Sequence, residues 1–157
     1  MINMRIPERS QQTVVEVLAR TVAARADKPF LLSGDDVTTF GELDQWSNRL
    51  AHALGTTALH AGTPVLLMLN DNVDFIAIWV AISKLAAIEV PINRAYHGMM
   101  LTHVINDSGA KLIITERSIF TDRECFAKVG ITVPAELLAL LDGAGVGGAT
   151  VRVHARE

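Results

Sequence analysis

The run from Val65 to Asn93, VLLMLNDNVDFIAIWVAISKLAAIEVPIN, limits the folds open to this chain more than any other stretch. Val65 to Leu69 is an aliphatic run of strand length. Asn70-Asp71-Asn72 follows, a polar turn whose side chains can accept hydrogen bonds from the first free N–H groups of a helix. The segment from Val73 to about Ala87 reads as that helix. A second strand-like run, Ile88 to Ile92, is interrupted by Pro91 and closed by Asn93. Strand, capped helix and strand in this order make a βαβ crossover, which implies a parallel sheet. The helix carries Phe75, Ile76, Ile78, Trp79, Val80, Ile82 and Leu85, apolar on nearly every face. A helix of this kind is buried on more than one side. The expectation is that part of the layer beyond it belongs to chain that is missing here.

The flanking segments extend the same pattern. Thr13 precedes a helix with Val14, Val17, Leu18 and Val22 at helical spacing, and Glu16 completes a capping-box spacing. It ends before Pro29. Phe30 to Leu32 and Val37 to Thr39, joined by Gly34-Asp35-Asp36, read as a small hairpin. Thr39 then caps FGELDQWSNRLAHAL, with Glu42 three residues on and Phe40, Leu43, Trp46, Leu50 and Leu54 along one face. Gly55 is placed as its C-cap. Beyond Asn93, Met99 to Asp107 reads as a helix with Met100, Leu101, Val104 and Ile105 inward, ended by Ser108-Gly109. Lys111 to Ile114 is a further strand. Residues 65–114 therefore alternate strand and helix, the pattern of a doubly wound α/β fold. Later signals are weaker: a short helix over Pro134 to Leu141 and a short strand over Thr150 to His154.

Composition excludes several classes. A net charge of −3 and a pI near 5.9 give no electrostatic basis for binding nucleic acid or an anionic membrane. Cys125 is the single cysteine, which rules out an intrachain disulfide and suits a reducing cytoplasm. The longest strongly apolar run, Phe75 to Ile82, is too short to span a bilayer. The polar start, MINMRIPERSQQ, has no apolar core of signal-peptide length. Half of the residues are hydrophobic and the mean hydropathy is +0.30, which fits a buried parallel sheet or a fragment that further chain should cover.

Four phrases, in order, carry a resemblance. The first is Thr39-Phe40 with Glu42-Leu43 and Asn48 to Ala51. The second is Asp71 to Phe75, matched through Asp74 and Phe75, since Asp71 stands where an Asn is usual. The third is Val90-Pro91-Ile92-Asn93, and the fourth the turn Asp107-Ser108-Gly109-Ala110-Lys111 before a strand. From Thr13 to Thr115 the chain resembles the N-terminal part of the acyl-adenylate-forming (AMP-binding) acyl-CoA synthetases. The phrasing around Ile88 to Asn93 is most similar to the branch of carnitine- and medium-chain acyl-CoA ligases, and so to fatty acid metabolism. Ala86-Ala87 departs from the usual Gly-Ala, removing the easy left-handed exit that Gly would give the helix.

The resemblance implies a two-step ligase. A carboxylate attacks the α-phosphate of Mg-ATP to give an acyl-adenylate and pyrophosphate, and a thiol, usually that of coenzyme A, displaces AMP. Such chemistry needs a Ser/Thr/Gly-rich phosphate loop, acids for Mg²⁺ and ribose, and a lysine on the adenylate. In the family these lie downstream of the matched stretch, and none occurs in this sequence. No catalytic, cofactor-binding or metal-binding residue is therefore assigned.

Other motifs have plain readings. Gly143, Gly145 and Gly148 satisfy Gly-x-Gly-x-x-Gly, but a dinucleotide loop needs a strand before it and a helix after it. A helix is expected before it and nine residues follow, so it reads as a linker. His103 and Asp107 are four apart on a helix without a third ligand, a surface pair. Cys125 lies near Arg123 and Lys128, which lower a thiol pKa, but with no placed base it is an incidental thiol. Trp46 and Trp79 sit at core spacing.

The chain is thus expected to comprise a flexible lead-in (1–12), an α/β subdomain (13–115) and a divergent tail (116–157). The expected fold is doubly wound and mostly parallel with flanking helices and a small N-terminal hairpin, a partial domain of a larger fold. The expected function is the scaffold of a cytoplasmic AMP-forming ligase, inactive alone. Its missing layer would come from downstream chain or another subunit. The alternative is a non-catalytic α/β binding or regulatory module.

Overall fold

The computed structural model describes residues 8–9, 12–57, 59–69, 73–110, 112–116 and 149–153. Among the described residues the elements are, in order, α1 (Val14–Arg25), β1 (Pro29–Ser33), β2 (Asp36–Thr39), α2 (Phe40–Gly55), β3 (Pro64–Met68), α3 (Val73–Lys84), β4 (Ile88–Pro91), α4 (Gly98–Ser108), β5 (Leu112–Glu116) and β6 (Ala149–Val153). The turn Asn70 to Asn72 and the helix expected over 134–141 lie outside the described residues, as does most of the lead-in.

Strands β1 and β2 form the expected antiparallel hairpin. The main sheet has the order β4-β3-β5-β6, with β3 parallel to both β4 and β5, and β6 antiparallel to β5. The last strand begins one residue before the Thr150 read from sequence. Pro91 is tolerated because β4 lies at the edge of this sheet.

Alternation along β3 divides the molecule into two cores. Val65, Leu67 and Leu69 point into one cluster with Leu112 and Ile114; Leu66 and Met68 point into the other with Ile113. The first cluster holds α1, α2 and α3 through Leu18, Leu50, Leu54, Ile78 and Ile82. The second is closed by Leu101 of α4, with Val104 and Ile105 half-buried against it. Helices therefore cover both faces of a parallel sheet, the doubly wound arrangement expected from the strand–helix alternation. Burying each large aliphatic side chain contributes about 1.5–3 kcal/mol, so the sheet and its two layers dominate stability.

The structure corrects four local expectations. The far side of α3 is covered by the chain's own α1 and α2, and every residue from Val73 to Lys84 is buried or half-buried. Its all-round apolarity is therefore met largely within this chain, while Ile76 and Trp79 also line an open apolar groove. The helix also stops at Lys84, with Ala86 in the left-handed region at φ 54°. Gly55 is not a left-handed cap: it is the last residue of α2, and Thr56 follows in a right-handed conformation. The hydroxyls of Thr56 and Thr57 end the helix by donating to the carbonyls of Ala53 and Leu54 at 2.7 and 2.6 Å. Met100 points to solvent, 55% exposed, because Leu101 takes the inward position on the first turn of α4.

The helix starts follow the sequence. Thr13 Oγ1 accepts from the Glu16 N–H at 3.2 Å. At α2 the capping box is complete, with Thr39 Oγ1 accepting from the Glu42 N–H and the Glu42 carboxylate accepting from the Thr39 N–H at 2.8 Å. Gly109 ends α4 at φ 63°, as a glycine C-cap does.

Candidate functional site

In open α/β sheets, ligands bind outside the carboxyl ends of the strands, where neighbouring connections leave toward opposite faces. That place lies between β3 and β4. The chain leaving β3 enters α3 on the first core, and the chain leaving β4 enters α4 on the second. The loop after β4 is shaped by Asn93, whose Oδ1 accepts from the Ala95 N–H at 2.8 Å while its carbonyl accepts from the Tyr96 N–H at 3.0 Å. This Asx turn delivers His97 in an extended conformation to the N-cap of α4, where its side chain makes no capping hydrogen bond. Ile92 is tied back into the sheet through its N–H to the Leu67 carbonyl at 2.7 Å. Thr115, buried at the end of β5, donates to the Met68 carbonyl at 2.9 Å. The carboxyl edge is thus held by backbone and hydroxyl bonds.

The strongest polar cluster lies elsewhere, between α2 and α3. Lys84 Nζ donates to Asp44 Oδ1 at 2.7 Å, Ser47 Oγ at 2.8 Å and Asn48 Oδ1 at 2.7 Å, with the Asp44 carbonyl at 3.3 Å. Ser47 is fully buried, and its hydroxyl donates to the Asp44 carbonyl at 3.0 Å. All the donors of the ammonium are therefore used in holding two helices together. Sequence reasoning missed this cluster. The available signal was Ser47, a small polar residue on the inward face of α2 between Leu43 and Leu50, with Asp44 and Asn48 beside it.

Among the described residues, two carboxyl groups depart from their ordinary titration. The backbone and hydroxyl donors of Thr39 hold Glu42 below the usual carboxylate range. Burial pushes Glu89, half-buried on β4, above that range.

Among the described residues, those weighed from sequence do not converge on a reactive centre. His103 and Asp107 are both exposed on α4, and among the described residues no group of three or more His, Cys, Asp or Glu could hold a metal ion. Trp46 packs against the first core, its buried Nε1 without a hydrogen-bond partner among the described residues. Trp79 is half-buried in the same cluster. Cys125, with Arg123 and Lys128, and the glycines 143, 145 and 148 lie outside the described residues. Among the described residues three acidic ligands do not come together, and the sequence has no Ser/Thr/Gly-rich loop ending in Lys.

Comparison with known proteins agrees with the fold. The family model described as AMP-binding enzyme matches residues 18–149. A plipastatin synthase of Bacillus subtilis is 33% identical over 104 residues, covering 66% of this chain and 3% of that protein. Phosphinothricin tripeptide synthetase PhsC of Streptomyces viridochromogenes is 32% identical over 111 residues, covering 71% of this chain and 10% of that one. The NpsA N-terminal subdomain of Klebsiella oxytoca superposes with a TM-score of 0.62 at 21% identity, over 66% of this chain and 27% of that one. The anthranilate CoA ligase AuaEII in complex with anthranoyl-AMP gives a TM-score of 0.63 at 23% identity, over 83% of this chain and 22% of that one. The chain thus spans a minor part of each of these proteins. With the matched family model covering most of its length and its fold shared with adenylation N-terminal subdomains, this chain belongs to the AMP-binding enzyme family, of which it forms an N-terminal portion.

Proposed function

We propose that this chain is the N-terminal scaffold of an AMP-forming acid–thiol ligase and contributes architecture rather than chemistry. The reaction it serves joins a carboxylate to the α-phosphate of ATP, releasing pyrophosphate, and then passes the acyl group to a thiol such as that of coenzyme A. One observation carries this reading: the family match runs over residues 18–149, while the sequence contains no phosphate loop or adenylate lysine. We place the shared scaffold over residues 13–115, with 1–12 as a lead-in and 116–157 as a more divergent tail, part of which the family match still covers. The 104 to 111 residues aligned with the two peptide synthetases support a scaffold of this size. The fatty-acid branch rests on the Ile88–Asn93 phrasing. A cytoplasmic setting is supported by the single cysteine, and no helix of the described residues is long and apolar enough to cross a membrane.

The test is ATP–pyrophosphate exchange by the purified chain across a panel of aliphatic and aromatic carboxylic acids. No exchange above a protein-free blank is expected, and robust exchange with any acid would overturn the proposal. The second reading, a binding or regulatory module, is favoured by one feature: α3 is covered on both sides by this chain's own helices and sheet, so its core is largely complete. A cooperatively unfolding monomer or defined oligomer would support that reading, whereas aggregation of the purified chain would support a fragment.

A further inference from the structure

We draw no further inference here: the strongest candidate, the apolar groove of about 250 Å³ between α1, Phe30 of β1, the start of α2 and α3, with part-exposed Val14 and Val17 at its rim, carries none because nothing in the structure shows what covers it.

Discussion

Lys84, at the end of α3, places its ammonium 2.7 Å from the Asp44 carboxylate of α2, forty residues earlier in the chain. Both side chains are mostly shielded from water, and Ser47 and Asn48 accept the remaining donors. The pair fixes the rotation of α2 on α3, a relation that apolar contacts alone leave loose. Replacing Lys84 by Met keeps the aliphatic stem but removes the charged donor of Asp44 Oδ1 and of buried Ser47, leaving Asp44 the bond from Asn48 Nδ2 at 3.1 Å. Hydrogen bonds to charged groups contribute about 1.5–3 kcal/mol each when shielded. Lys84→Met should therefore lower unfolding stability by about 2–3 kcal/mol in urea titrations. In a double-mutant cycle with Asp44→Ala, additive losses would show that the two groups are not coupled.

Ala86 occupies the left-handed region at φ 54°, the conformation that Gly109 supplies at the end of α4. A Cβ in that region costs about 1–2 kcal/mol, partly offset in glycine by its greater freedom when unfolded. Ala86→Gly should therefore raise stability by about 1 kcal/mol, and Gly109→Ala should lower it by a similar amount. Thermal or urea unfolding of the two variants checks this. A destabilised Ala86→Gly would mean that the helix exit is not strained.

Glu89 and Glu42 give opposite pH signatures. Burial raises the Glu89 pKa, so the folded chain holds a proton that the unfolded chain releases, and stability falls as pH rises from the ordinary carboxylate value through the raised one. Glu42 is held low by Thr39, so its contribution is present above the ordinary value and is lost as pH falls through the lowered one. Glu89→Gln should make the chain more stable at pH 7 and flatten the decline above the carboxylate range, leaving the acid-side loss in place. Unfolding midpoints measured from about pH 3 to 8 would show it; an unchanged profile would remove Glu89 as the source.

Ile78 is 2% exposed in the first core, beneath α2. Ile78→Asp would place an unpaired charge there and should abolish cooperative folding, since an ionised carboxylate without a partner costs far more than a small domain's net stability. Met99→Asp, at a position 89% exposed, is the matched control and should fold normally. Circular dichroism and size exclusion distinguish the two. A well-folded Ile78→Asp would contradict the buried crossover.

The order of elements was legible because several signals agreed. Runs such as Val65 to Leu69 are apolar at every position because both faces of β3 are buried, and Thr39 with Glu42 marks a helix start by chemistry that needs no tertiary context. What failed depended on distant contacts. Gly55 looked like a left-handed cap, yet two threonine hydroxyls end that helix instead. Met100 and Leu101 are equally apolar, and only the position of the sheet decides which turns inward. The all-round apolarity of α3 suggested a missing layer, but the covering helices precede it in sequence.

Pro91 has a consequence for how the sheet can grow. In a parallel edge strand, alternate N–H groups face the neighbour and the open side. Those of Ile88 and Ile92 bond inward, to the carbonyls of Thr63 and Leu67. The outward donors of β4 are then those of positions 89 and 91, and at 91 the ring nitrogen has no hydrogen. A strand laid along this rim would find one donor, beside the half-buried Glu89, and then a gap. Pro91 thus removes one of the two outward donors of β4 and weakens this border as a template for strand addition.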